Sequence, residues 1–92
     1  MILRELEGVL QSRAGADPSE SYTARLLADP EYNQRKIMEE AFEVCLELGR
    51  SELAPELVAN EAADLIYHLL AGLVGVGVPL DDVFAVLEAR RK

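Results

Sequence analysis

Apolar positions recur at helical spacing along almost the whole chain, and the breaks between runs fall on glycine, proline and capping residues. Leu3, Leu6, Val9 and Leu10 mark one face of a helix over about 2–14. Gly15-Ala16-Asp17-Pro18-Ser19-Glu20-Ser21 reads as a loop from its turn residues. Ser21 is placed to cap a short helix through Leu27, because its hydroxyl can accept from a free N–H of the first turn. Asp29-Pro30 supplies a cap followed by proline at the first helical position. The helix they open runs to Leu48, stops at Gly49 and carries the apolar stripe Ile37, Ala41, Val44 and Leu48. Ser51 is expected to cap the next helix, with Pro55 in its first turn and an end near Val74. Gly75, Gly77 and Pro79 then break the pattern before a last helix over about 80–90, with Asp81 and Asp82 near its positive end. No segment alternates convincingly with the period of a strand.

The expected fold is therefore all-α, one domain over residues 1–92. It is a helical bundle built round an antiparallel helix hairpin, whose two long helices join at Gly49-Arg50-Ser51. The helix from Ser51 to Val74 is apolar round nearly its whole circumference, which marks a buried helix. A chain this short buries a modest core, so part of that surface is expected to lie against another subunit, making a homo-oligomer, at minimum a dimer.

Composition narrows the partners. The net charge of −8 disfavours a nucleic-acid surface, which needs clustered Lys and Arg. A polyanionic small substrate remains compatible if cations or a local basic patch receive it. The single Cys45, in the apolar run Val44-Cys45-Leu46, reads as a small buried residue and not as a nucleophile. Met1-Ile2-Leu3-Arg4-Glu5 becomes charged too early for a signal peptide, and no uninterrupted apolar run reaches the roughly 18 residues that suggest a membrane span. No membrane partner is expected, and the default location is the cytoplasm.

Against this background the acids of the fourth helix are anomalous. Glu61, Asp64 and His68 form a polar stripe at i, i+3 and i+7 on an otherwise apolar helix. Two carboxylates in such a setting are costly without a compensating cation. Between Arg50 and Arg90 there is no Lys or Arg, while the stretch holds seven acids. The preceding helix presents Glu39, Glu40, Glu43 and Glu47, and in an antiparallel hairpin the two acidic stripes can face each other. Hard oxygen ligands at that density suit Mg²⁺ or Mn²⁺. A lone Glu-x-x-Glu is usually a solvated face; two such pairs, one on a helix with little other polar surface, are not.

Glu40-x-x-Glu43 followed, after seventeen intervening residues, by Glu61-x-x-Asp64 resembles the all-α, MazG-like nucleotide pyrophosphohydrolases. Within that group, three segments resemble the phosphoribosyl-ATP pyrophosphohydrolase family of histidine biosynthesis: Ser21-Tyr22-Thr23-Ala24-Arg25-Leu26-Leu27, Lys36-Ile37-Met38-Glu39-Glu40-Ala41-Phe42-Glu43, and Asn60 to Leu70 with its Tyr67-His68 pair. Val78-Pro79-Leu80-Asp81-Asp82-Val83 fits as well. The resemblance implies metal-dependent hydrolysis of phosphoribosyl-ATP to phosphoribosyl-AMP and pyrophosphate, the second step of histidine biosynthesis. It implies Glu40, Glu43, Glu61 and Asp64 as ligands of Mg²⁺ (or Mn²⁺), and a homo-oligomer. Glu39 or Glu43 is the candidate to orient or deprotonate the attacking water. Ser21, Thr23, Arg25, Lys36 and His68 are the implied substrate contacts. Arg25 and Lys36 also have an ordinary reading as surface charges. The sequence departs from the family's habit at Arg35, where a lysine is common, at Met38, where glycine is common, and around Glu31-Tyr32-Asn33-Gln34. The competing enzyme reading is a pyrophosphohydrolase of other nucleoside triphosphates. The competing non-enzymatic reading is a helical dimerisation module with solvated acids.

Overall fold

The computed structural model describes residues Met1–Arg91, which form five helices and, among the described residues, no strand. They are α1 (Ile2–Ser12), α2 (Tyr22–Ala28), α3 (Pro30–Leu48), α4 (Pro55–Val76) and α5 (Leu80–Arg90). Two of the expected caps form. The Ser21 side chain accepts from the Ala24 N–H at 3.2 Å, and Asp29 Oδ1 accepts from the Tyr32 N–H at 3.1 Å with Pro30 opening α3. Ser51 caps nothing: α4 begins at Pro55, with Ala54 in extended conformation before it. Proline disfavours helical geometry in the residue that precedes it, so Pro55 sets the start and leaves Ser51 outside. Gly75 does not end α4 either; the helix continues to Val76 and closes on Gly77, whose φ of 72° only glycine adopts cheaply.

Helix α4 is the central element, with α1, α2 and α3 packed against it. Leu10, Leu26, Leu70, Ala71 and Leu80 form the buried core, supported by Leu3, Leu6, Tyr67, Leu73, Val74 and Phe84. Near the beginning of α3, the Asn33 amide donates to the His68 carbonyl at 3.1 Å. A Cβ at Gly72 would stand 3.3 Å from Asn33 Nδ2 and 3.5 Å from Ile37 Cδ1, so glycine permits the close approach here. Towards the end of α3, Glu40 and Glu43 meet Glu61. As α3 advances from Asn33 to Glu43 its neighbours on α4 recede, so the two helices run in opposite directions. Helix α5 is tied to α1 by its first N–H: Leu80 donates to Glu7 Oε2 at 2.7 Å, and Arg4 pairs with Asp81 at 3.0 Å.

The apolar surface is less buried within one chain than the pattern predicts. Helix α4 is long and apolar enough, by length and composition, to cross a membrane, yet it serves as the helix on which the core is built. Only His68, Leu70 and Ala71 of α4 are fully buried; Leu57, Ile66 and Leu69 remain over 40% exposed. Cys45 is exposed and not buried, because it shares an outward face of α3 with Met38, Phe42 and Leu46. Leu48, assigned to the inner stripe of α3, is exposed at the end of the helix.

Candidate active site

One carboxylate oxygen from each of Glu40, Glu43 and Glu61 lies within 4.8 Å of the other two. The arrangement follows from two local facts and one tertiary fact. Glu40 and Glu43 stand one turn apart on α3, and Glu61 lies in the second turn of the helix that Pro55 opens. Opposed running of α3 and α4 then brings them together. Glu40 is buried, and its Oε2 and the Oε2 of Glu61 have no hydrogen-bond partner among the described residues. Asp64, one turn further along α4, is exposed and outside the tightest group, but close enough for its charge to act on Glu40 and Glu61.

The electrostatics match the geometry. Glu61 is pushed up to about 7, first because the adjacent Glu43 oxygen favours a shared proton, then by burial, then by the charges of Glu43, Glu40 and Asp64. Glu40 is also raised, chiefly by burial and next by Glu43. Lys36, from α3 itself, works against this: its Nζ lies 3.7 Å from Glu40 Oε1 and 3.2 Å from Glu39 Oε1. The cation-free stretch between Arg50 and Arg90 therefore does not leave the cluster wholly uncompensated. Lys36 reaches only one oxygen of Glu40, and the two buried orphan oxygens stay unpaired. Each is an acceptor of the kind a divalent cation satisfies, so the donor set fits Mg²⁺ or Mn²⁺.

A polar network joins α2 to α4 beside this cluster. The Tyr22 hydroxyl meets His68 Nε2 at 2.8 Å, and His68 Nδ1 meets the Asp64 carbonyl at 2.8 Å. A carbonyl only accepts, so Nδ1 carries the proton, and in the neutral ring Nε2 accepts from Tyr22. Thr23 Oγ1 is hydrogen-bonded to the Tyr67 hydroxyl. Tyr22 and Tyr67 lie nearly parallel, 6.2 Å between centroids, with His68 edge-on to both. In the last turn of α2 the Arg25 guanidinium sits 4.9 Å above the centre of the Tyr32 ring.

With this geometry in hand, comparison with known proteins is decisive. The model of the family described as phosphoribosyl-ATP pyrophosphohydrolase matches residues 3–91. The chain belongs to the phosphoribosyl-ATP pyrophosphohydrolase family. Curated relatives carry the name phosphoribosyl-ATP pyrophosphatase. One from Cereibacter sphaeroides is 47% identical over 90 residues, 97% of this chain and 85% of the relative. One from Methylobacterium nodulans is 43% identical over 89 residues, 96% of this chain and 81% of its own length. A third, from Caulobacter vibrioides, is 43% identical over 89 residues, covering 97% and 81%.

Among the residues that the sequence of this pyrophosphohydrolase family member singles out, the structure gathers Glu40, Glu43 and Glu61, with Asp64 alongside. Glu39 stays outside, exposed and held by Lys36. Ser21 is the cap of α2, its oxygen engaged but its hydroxyl proton still able to donate. Thr23 is buried against Tyr67, and His68 is 6% exposed with both ring nitrogens engaged, so each links α2 to α4 in this structure. Sequence reasoning did not single out Tyr22, Tyr32 or Asn33 as functional. Tyr22 and Asn33 bind His68, and a pairing across 35 or 46 positions leaves no periodic trace.

Proposed function

We propose that this chain hydrolyses phosphoribosyl-ATP to phosphoribosyl-AMP and pyrophosphate, the second step of histidine biosynthesis, in the cytoplasm. The observation that supports this reading is the convergence of Glu40, Glu43 and Glu61, with two buried unpartnered oxygens, in a chain matched by that family along almost its whole length. Glu40, Glu43, Glu61 and Asp64 would hold Mg²⁺ or Mn²⁺. When bound, the cation supplies positive charge to the phosphates and makes water more acidic. Glu43 is better placed than Glu39 to orient or accept a proton from the attacking water, since Glu39 lies outside the cluster and is paired with Lys36. Water adds to phosphorus as the bond between the α- and β-phosphates breaks, and pyrophosphate leaves. Lys36 stands where it can exchange Glu40 for a phosphate oxygen, and Ser21 and Arg25 supply donors to the other end of the substrate.

The decisive assay is pyrophosphate release from phosphoribosyl-ATP by purified protein, with and without Mg²⁺. Mg²⁺-dependent release is expected. Turnover of other nucleoside triphosphates with none of phosphoribosyl-ATP would move the chain to the broader nucleotide pyrophosphohydrolases.

The assembly proposed is a homo-oligomer, at least a dimer, completing a bundle whose centre is the α3–α4 hairpin. The radius of gyration is 14.6 Å, against about 12 Å expected for a compact chain of this length. Two apolar faces lie open: Met38, Phe42 and Leu46 on α3, and Ile66, Leu69 and Leu87 on α4 and α5. Sedimentation equilibrium is expected to give at least twice the 10.1 kDa chain mass. A monomer independent of concentration would overturn the assembly and leave the chemistry to be tested separately.

A further inference from the structure

Arg25 holds its charge without an acidic partner: no ion pair to it occurs among the described residues, although the chain carries 17 acids against 9 Lys and Arg. It is exposed, yet its guanidinium lies over the Tyr32 ring at 4.9 Å. A guanidinium over an aromatic face is held there by attraction to the ring while its N–H groups remain free for oxygens. The main chain at Tyr32 is itself fixed, because its N–H is the one that Asp29 caps at the start of α3.

Position along α3 gives the platform its meaning. Tyr32, Lys36, Glu40 and Glu43 follow one another at intervals of four, four and three residues, so they share one face of the helix. At 1.5 Å rise per residue, Tyr32 lies about 12 Å along the axis from Glu40. One end of this face collects carboxylates; the other presents a guanidinium on an aromatic ring, with Lys36 between. A substrate with a triphosphate at one end and a phosphorylated ribose at the other has two anionic groups to place, and only one can sit at the carboxylates.

Resting on the function proposed above, we infer that Tyr32 is a positioning residue that holds Arg25 as the receptor for the substrate's ribose-borne monophosphate. It sets specificity for phosphoribosyl-ATP over ATP without touching the reacting atoms. The ring face does this; the hydroxyl lies towards Tyr22 and takes no part in holding Arg25.

The test compares Tyr32→Leu, Tyr32→Phe, Arg25→Ala and the Arg25→Ala/Tyr32→Leu double variant. Each is assayed for kcat and KM with phosphoribosyl-ATP, for inhibition by ATP, and for thermal unfolding. Tyr32→Leu is expected to raise KM roughly two- to fivefold, the equivalent of an exposed cation–aromatic contact, with kcat and ATP inhibition unchanged. Tyr32→Phe should keep the wild-type KM. The double variant should be no worse than Arg25→Ala, since Tyr32 acts through Arg25. An unchanged KM in Tyr32→Leu, equal damage in Tyr32→Phe, or additive losses in the double variant would each overturn the inference while the proposed reaction stands. A change in kcat and unfolding temperature without a change in KM would make Tyr32 structural and overturn it as well. A wild-type chain with no activity on phosphoribosyl-ATP would overturn the proposed function and this inference together.

Discussion

Replacing Glu61 by Gln is expected to lower Mg²⁺-dependent pyrophosphate release at least about 100-fold, because groups one shell further from a metal already cost 10–100-fold. The folded protein should survive the change. Glu61 is held at about 7 in the metal-free protein, above the 4.5 of an unstrained glutamate. Raised in this way, the group contributes stability that is fully present below 4.5 and is lost as pH rises through about 7. Metal-free wild type should therefore lose stability between pH 5 and pH 8 through this carboxyl. Glu61→Gln cannot ionise and can donate to Glu43, so its metal-free form should hold or gain stability at pH 8 and show a shallower decline. Calorimetry of chelator-treated protein at the two pH values, beside the activity assay, checks both halves. Asp64→Asn should lose most activity with little change in metal-free stability, since Asp64 is exposed. An active Asp64→Asn protein with unchanged Mg²⁺ dependence would remove Asp64 from the ligand set.

Arg25→Ala is expected to weaken phosphoribosyl-ATP binding far more than ATP binding. A charge-assisted hydrogen bond to phosphate is worth roughly 1.5–3 kcal/mol, or about 10- to 150-fold in affinity. ATP lacks the second phosphate and should bind the variant nearly as it binds wild type. Titration of a catalytically silent Glu61→Gln background with each nucleotide separates the two. Equal losses for both nucleotides would place Arg25 on the triphosphate, and no loss for either would make it a solvated helix residue. Fold stability should fall by no more than about 0.5–1 kcal/mol, the worth of the exposed contact with Tyr32, because Arg25 forms no ion pair among the described residues.

Sequence alone determined the features whose causes are local. Ser21 and Asp29 could be read as caps because the donors they satisfy lie three residues away. Glu40 with Glu43, and Glu61 with Asp64, could be read as shared faces because helical geometry puts i and i+3 together. Even within that range a stronger neighbour could win: Pro55 fixed the start of α4 and displaced Ser51. Tertiary structure decided whatever depends on how a helix is rotated against its neighbour. Glu39 and Glu40 are adjacent in sequence but about 100° apart around α3, so only the packing of α4 could choose Glu40 for the cluster and leave Glu39 to Lys36. The same rotation turned Cys45 outward with Met38 and Phe42, where the apolar run Val44-Cys45-Leu46 by itself suggests burial. It also brought the Tyr22 hydroxyl to His68 Nε2, where periodicity marks His68 only as polar. Arg25 and Tyr32 lie on different helices, and the break at Asp29-Pro30 sets the angle that places one over the other. Periodicity specifies the spacing of side chains along one helix; contacts between helices also need their relative rotation and crossing, which burial of the shared core fixes.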